Sequence, residues 1–365
     1  MLTSTEWITD LGRFDEVAPA WERLAATADP TPFARHAWLS AWWSAFGAGG
    51  ALSICALWSG GELVAALPLH RRGAWLRATA NDHTPAYRPL ARDSQARERL
   101  AGALLAERAP IEARAVPVDE PEVRELLGAV EERGGRTILE PEQLSPLTEV
   151  AGSFQEYCTE RKRAWRELER RGRKTAREHE VEQALIAQPR VLERELEEGL
   201  ALEATGWKGR AGTAILASPD TATFYRKIAH AFHAAGELRL SSLRVDDRLV
   251  GFDLALLHRD RYFLLKTAYD ENLRSLAPGL VLRRAVIERC FELELEAHEF
   301  LGPDMEWKRL FSTGHRRHAV WRAYPSGALH GVRYGYRRRA RPRLKAAYLE
   351  LEDAIGSRRR SRAAG

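Results

Sequence analysis

The run RYFLLKTAYDENLRSLAPGL, residues 261–280, decides how the chain reads. Arg261 to Tyr269 is an apolar strand, Tyr269-Asp270-Glu271 turns it, and Pro278-Gly279 opens an apolar-periodic helix that continues to about Leu293. Proline is pre-organised for the first turn of a helix, and the unbonded N–H groups of that turn make a seat for an anion. Upstream, Leu238 to Val245 and Arg248 to His258 are apolar runs joined by Asp246-Asp247, and Arg259-Asp260 turns the chain into the third strand. Short polar links between β-rich runs predict hairpins. Downstream, Glu299-Phe300-Leu301-Gly302-Pro303-Asp304 predicts a strand ending in a tight turn, and Glu306-Trp307-Lys308 sets an aromatic and a cation beside it.

Lys266-x-x-Tyr269-Asp270-Glu271, then Ala277-Pro278-Gly279, Phe300-Leu301-Gly302 and Trp307-Lys308, resembles the C-terminal half of the FemAB-like, CelD-type branch of the GNAT acyltransferases. The resemblance extends over roughly Ser153 to Tyr324 and more faintly over the N-terminal half. It implies an α/β (α+β) chain of two tandem GNAT-like domains, each a mixed central sheet flanked by helices. It also implies N-acyl transfer from acyl-CoA, acetyl-CoA above all, or from aminoacyl-tRNA, onto an amine, with no metal. Implied acceptors are an amino sugar, an amino-acid-like metabolite or a cell-envelope or exopolysaccharide precursor. Arg274, Ser275, Pro278, Gly279 and Leu280 would then seat the donor's pyrophosphate. Ordinary GNAT enzymes place an Arg/Gln-x-x-Gly-x-Gly/Ala loop there, and this chain has a single glycine. Lys308 matches the cation of the family's Tyr-Lys pair, which faces the donor or the developing oxyanion. Trp307 replaces the tyrosine, so a hydroxyl role is lost.

Lys266, Tyr269, Asp270 and Lys308 are the candidates for chemistry. By strict alternation, Tyr262, Leu264, Lys266, Ala268 and Asp270 share one face of the strand, and Phe263, Leu265, Thr267 and Tyr269 the other. A lysine among such neighbours is expected to be paired if buried. A salt bridge to Asp304 or Asp270 and an acceptor-binding role explain Lys266 equally. Asp270 or Glu271 would accept the amine's proton, and Tyr269 would supply one to the leaving group. Asp253 interrupts an apolar strand on the face opposite Phe252 and Leu254, which predicts surface exposure.

The chain has 365 residues, 45% of them hydrophobic and 29% charged, which suits two globular domains. Apolar runs stay below the length of a membrane span, and the N-terminus lacks a basic-then-apolar signal pattern, so a cytoplasmic bacterial protein is expected. Cys55, Cys158 and Cys290 are far apart, which argues against a disulfide framework or a zinc site. Only seven of the 56 basic residues are lysine, and the net charge is +5. GC-rich coding accounts for part of the arginine excess, and a basic surface favours anionic partners.

From the N-terminus, residues 14–28 and Phe33 to Phe46 have helical spacing, the second carrying Trp38, Trp42 and Trp43. Leu52 to Trp58 and Glu62 to His70 form a hairpin across Gly60-Gly61. The loop Asn81-Asp82-His83-Thr84-Pro85-Ala86-Tyr87 corresponds to a family loop facing the cleft between domains. That makes Asn81, His83 and Tyr87 substrate-side candidates, with Asp304 and Trp307; a plain Asn/Asp/Pro turn is the alternative. Helices at 93–108 and 120–133 alternate with strands at 113–116 and 136–139. The proline-containing stretch 141–152 divides a domain 1–150 from a domain 151–330, with a basic helix and tail at 331–365.

Phe154 to Glu180 is the most charged stretch, with arginines and lysines on one face and Tyr157, Trp165 and Leu168 as an apolar stripe. It reads either as a dock for a phosphate-rich donor or as a solvated Glu/Arg helix. Further helices fall at 189–206 and 223–235, separated by Trp207-Lys208-Gly209-Arg210, which resembles the family's Trp-Lys-x-Arg. An aminoacyl-tRNA-dependent transferase and a non-catalytic binding protein of the same fold are the rival functions. tRNA is accordingly a possible partner beside a small-molecule or glycan-precursor acceptor.

Overall fold

Alternating apolar residues and two-residue Gly or Asp turns cut this chain into short strands, and the computed structural model describes residues 3–340. The strands are β1 (Thr3–Ile8), β2 (Ala51–Leu52), β3 (Ile54–Ser59), β4 (Glu62–Leu67), β5 (Leu69–Arg72), β6 (Trp75–Ala78), β7 (Leu90–Ala91), β8 (Ile111–Pro117), β9 (Arg136–Glu149), β10 (Val181–Ala187), β11 (Leu238–Val245), β12 (Arg248–His258), β13 (Arg261–Tyr269), β14 (Ala297–Glu299) and β15 (Gly314–Tyr324). Among the described residues they form a four-stranded sheet, β1-β3-β4-β7, and an eleven-stranded sheet, β10-β11-β12-β13-β14-β9-β15-β8-β6-β5-β2.

One device occurs twice in the long sheet. β6 and β8 run parallel with the helix Ser94–Ala106 between them in sequence, and β13 and β14 run parallel with the helix Pro278–Glu292 between them. Parallel neighbours need such a crossover. The fold is thus mixed α/β with helices flanking its sheets, as read from the sequence. The two halves are sewn together by β15, which leaves the second half to lie between β8 and β9.

The 141–149 stretch, expected to mark the boundary between two domains, belongs to β9, which pairs with both β14 and β15. Its prolines fit because Pro141 sits at the register shift opposite His318 and Ala319, where the ladder is already interrupted. The expected helices form at Ala18–Ala28, His36–Phe46, Ser94–Ala106, Pro121–Glu132, Leu192–Thr205 and Pro219–Ala234. Trp38 and Trp42 are buried against the apolar face of Pro219–Ala234, with Trp38 edge-on to Phe224. A helix Ala328–Gly335 starts the C-terminal segment; the apolar piece with Leu344, Tyr348 and Leu351 and the basic cluster at 358–362 lie outside the described residues.

Asp253 is a correction to the sequence reading. It is on the face expected, but that face lies under the 278–292 helix, and the carboxylate is fully buried 2.6 Å from Arg283, itself 1% exposed. Arg283 also donates to His298 Nε2 at 2.9 Å. A helix read as apolar-periodic thus also brings an arginine into the core, because an aspartate is waiting there.

Removing one partner of this pair leaves an uncompensated buried charge. Asp253→Ala is expected to cost about 3–5 kcal/mol in urea unfolding. The double variant Asp253→Leu with Arg283→Met is expected to recover most of that loss, and equal losses in both would show the pair is not what the position requires.

Candidate functional site

β13 and β14 are in register over three pairs, Arg261↔Ala297, Tyr262↔His298 and Phe263↔Glu299, and then separate. β13 runs on to Tyr269 against β12 alone, while the chain after β14 turns away through Leu301 and Gly302, both at positive φ (54° and 57°). The result is a fork in the sheet whose two arms carry backbone groups released from β-pairing. Two lysines reach those arms. Lys208 Nζ donates to the Thr267 carbonyl at 2.9 Å on the β13 side, and Lys308 Nζ donates to the carbonyls of Leu301 and Pro303, the latter at 2.9 Å, on the other.

Lys308 is 5% exposed, and its hydrogen-bond partners are two carbonyls of the exit turn. Burial, with the charges of Arg283 and Lys208 nearby, pulls its pKa down to about 8 against the attraction of Asp304. Trp307 lies under the same ammonium, 5.7 Å from ring centre, with its ring edge-on to Phe300. Asp304 binds Arg309 at 2.8 Å.

Lys266 forms no ion pair with Asp304 or Asp270, each of which holds an arginine instead, and it has no carboxylate partner among the described residues. Its ammonium stands 5.0 Å over the Tyr225 ring, and burial lowers its pKa. Its face is also a correction. A register shift between Leu254 and Ala255 inserts an extra β13 residue, which reverses the alternation after Leu264. Tyr262 and Leu264 face the 278–292 helix, whereas Lys266 faces Tyr225 on the opposite side.

On that side the loop from the first half delivers His83. Its ring stacks on Phe46 at 5.5 Å, Nδ1 is 3.3 Å from the Tyr225 hydroxyl and Nε2 is 3.4 Å from the Thr221 hydroxyl. Burial, helped by the Lys266 charge, brings its pKa to about 4, so the ring is neutral at pH 7. His83 and Lys266, 183 residues apart in number, therefore both border the Tyr225 ring. The other two candidates of that loop do not join them. Asn81 builds the turn, its side-chain oxygen accepting from the His83 amide at 3.0 Å. Tyr87 points into the core of the first half and donates its hydroxyl to the Pro68 carbonyl at 2.7 Å.

Asp270 and Tyr269 are likewise committed elsewhere. The Asp270 carboxylate accepts from the Asn272 amide at 2.9 Å as the cap of the turn Glu271–Leu276, and pairs with Arg248. Glu271 is held by Arg210, Arg274 and the Trp207 amide. Tyr269 lies beneath the start of the 278–292 helix, so near that a Cβ on Gly279 would come within 3.0 Å of its ring. Gly279 is thus required by close approach.

The helix start itself has no side-chain cap. Leu280 and Val281 direct their amides at the Ala277 carbonyl, and the Gly279 amide has no protein partner among the described residues. Arg274 is exposed beside it, and the Ser275 carbonyl accepts from Arg171 of the basic helix Lys162–Glu178 at 3.5 Å. That helix packs against 278–292 around a groove of about 350 Å³. Its charges are mostly internal, Arg170 and Arg171 on Glu167 and Arg173 on Glu169, which favours the solvated-helix reading.

Sequence reasoning passed over Glu203. It is 4% exposed and binds Lys208 Nζ at 2.8 Å and the Ile215 amide at 2.9 Å, fixing the lysine that touches β13. The signal was present: Leu192, Leu196, Leu200 and Glu203 follow helical spacing, which sets an acid on the buried face.

Residues 160–309 match the family model described as an acetyltransferase (GNAT) domain. The crystal structure of FemX is similar over 88% of this chain and 97% of its own, at 12% identity and a TM-score of 0.57. A conserved protein of unknown function from Bacteroides thetaiotaomicron is similar over 88% of this chain and all of its own, at 13% identity and a TM-score of 0.51. No curated protein matches the sequence. Residues 160–309 therefore match a GNAT domain, and the likeness to FemX is one of fold. Among the described residues no group of side chains has the makings of a metal site, and no helix is long and apolar enough to cross a membrane.

Lys308 yields a pH test. Its folded pKa of about 8 lies below the ordinary lysine value of 10.5, so the unfolded chain binds more protons between those limits and stability rises with pH across that window. Measured as the difference from Lys308→Met, the parent's stability is expected to be lowest below pH 8 and to climb towards pH 10.5. A pH-independent difference would remove the assigned burial.

Proposed function

We propose that the protein is an N-acyltransferase that moves an acyl group, acetyl above all, from acyl-CoA to the amine of a small acceptor or glycan precursor. The observation that carries this reading is the fork between β13 and β14 with an uncapped helix start at its mouth. The Gly279 amide and the Arg274 guanidinium would take the carrier's pyrophosphate, because helix starts and arginines both favour phosphate oxygens. An extended thioester arm would lie along the released β13 edge.

In the transfer, the amine nitrogen bonds to the thioester carbonyl carbon, the C–S bond breaks, the amine's proton passes to water and the departing thiolate takes one up. The unpaired Lys266 ammonium favours both a neutral incoming amine and a developing oxyanion. Its neutral neighbour His83 adds no opposing charge. Lys308 acts as a positioning residue, holding the turn 301–303 that forms the second arm.

A second reading, transfer from aminoacyl-tRNA, is favoured by one observation: the basic helix reaches the same helix start through Arg171 and the Ser275 carbonyl. Isothermal titration with acetyl-CoA and filter binding with charged tRNA separate the two. Acetyl-CoA is expected to bind and tRNA to be washed through. Leu280→Asp, which puts a negative charge on the first helical turn, is expected to weaken acetyl-CoA at least tenfold; tRNA retention with no response to acetyl-CoA would replace the first reading by the second.

A further inference from the structure

A cavity of about 400 Å³ lies where the two halves meet, on the side of the sheet where Phe263 packs edge-on to Phe33. One wall is Phe263, Glu299 and Leu301, so the cavity opens against the last paired residues of the fork. Its other walls come from the first half, from the turn into β13 and from β15, and they are rich in arginine. Arg88, Arg259, Arg261 and Arg316 all face it. Arg316 clasps Glu299 at 2.7–3.1 Å, and Arg261 stands 3.6 Å from the same carboxylate. Arg88 joins Glu120 and stands 3.6 Å from Asp29.

These pairings leave capacity unused. The Arg88 side chain is nine-tenths buried and its Nε has no hydrogen-bond partner, and Arg261 Nε, also buried, makes no hydrogen bond and stands 3.5 Å from the Glu296 carboxylate. Buried guanidinium N–H groups are rarely left without an acceptor. The lining sets four arginines against the three carboxylates of Glu120, Glu122 and Glu299, and burial raises the pKa of Glu120, as it does that of Asp29, against the pull of Arg88. His318, whose Nδ1 is 3.3 Å from the Ser145 hydroxyl, is held neutral by burial and by Arg88 and Arg316. A pocket of this size, with fixed planar donors and a surplus of positive charge, suits a small molecule that carries an oxyanion.

We propose that this junction cavity is the acceptor pocket and that Arg88 and Arg261 select small amines bearing a carboxylate or a phosphate, the anion lying between the guanidiniums and the amine extending past Phe263 to the fork. The proposal rests on the acyl-transfer reading for its amine, but the pocket's anion preference is testable without any donor.

Three probes distinguish the outcomes: L-glutamate, glucosamine 6-phosphate and glucosamine, which lacks an anion. In titration calorimetry of the full chain without donor, at least one of the first two is expected to bind at least tenfold more tightly than glucosamine, and the tighter one identifies carboxylate or phosphate. Arg88→Gln and, on the opposite wall, Arg261→Gln are each expected to weaken that probe at least tenfold, with Arg88→Lys recovering part of the loss. In acetyl-CoA turnover, the KM for the anionic probe is expected to rise at least tenfold more than that for glucosamine. Failure of both anionic probes to bind the parent, or equal losses for charged and uncharged probes, would overturn the pocket. Anion binding that Arg88→Gln abolishes, with no acetyl-CoA turnover, would retain the pocket and remove the transferase reading instead.

Discussion

Two parallel strands that stay paired for only three residues govern the organisation of the second half. Parallel pairing is obtained through a crossover, and here the crossover helix begins where β13 ends, so its positive pole and the split edge occupy the same region. Had β14 continued alongside β13, the β13 carbonyls would be bonded within the sheet and the helix start would face a closed surface. The separation is enforced on both sides. Leu301 and Gly302 turn the chain at positive φ, Lys308 fastens that turn, and Lys208, fixed by Glu203, occupies the Thr267 carbonyl on the other arm.

Much of this was legible from spacing alone. The hairpins from 238 to 269, the proline-led helix and the strand before Phe300 follow from period-two and period-3.6 patterns with turn residues between them, and no distant contact is needed to read them. What failed were inferences that depend on a second element. Strict alternation misplaced Lys266 because a single inserted residue reverses every later side chain, and nothing local announces the insertion. Asp253 looked exposed because its partner Arg283 lies 30 residues away on a different element, the 278–292 helix. Tyr87 and Asp270 have side chains suited to a site, yet the first donates to the Pro68 carbonyl 19 residues back and the second accepts from the Asn272 amide two residues on. Residue type suggested function there where local geometry had already assigned the atoms.

The cleft side of the molecule has a consistent electrostatic logic. Lysines 208 and 266 and His83 all have their charged forms disfavoured by burial, and Glu203 is the acid among them. A site of this kind holds its protons loosely, which suits chemistry in which an ammonium must become an amine. The apolar packing behind it, Phe46 on His83 and Phe224 on Trp38, keeps these groups in place without adding competing hydrogen bonds.

The return of β15 to the first half has a consequence for biosynthesis. Residues 136–149 and 111–117 are made long before residues 314–324, so as the chain leaves the ribosome the first half waits with β8 and β9 unjoined, each presenting an unpaired strand edge. Only when residues 314–324 have emerged is that gap filled. Closure over so many intervening residues is slow, and a chain stopped short of Gly314 would display two open edges able to pair with a neighbour's. The order of synthesis thus makes the last strand a checkpoint: neither half finishes its sheet unless the other has already been made.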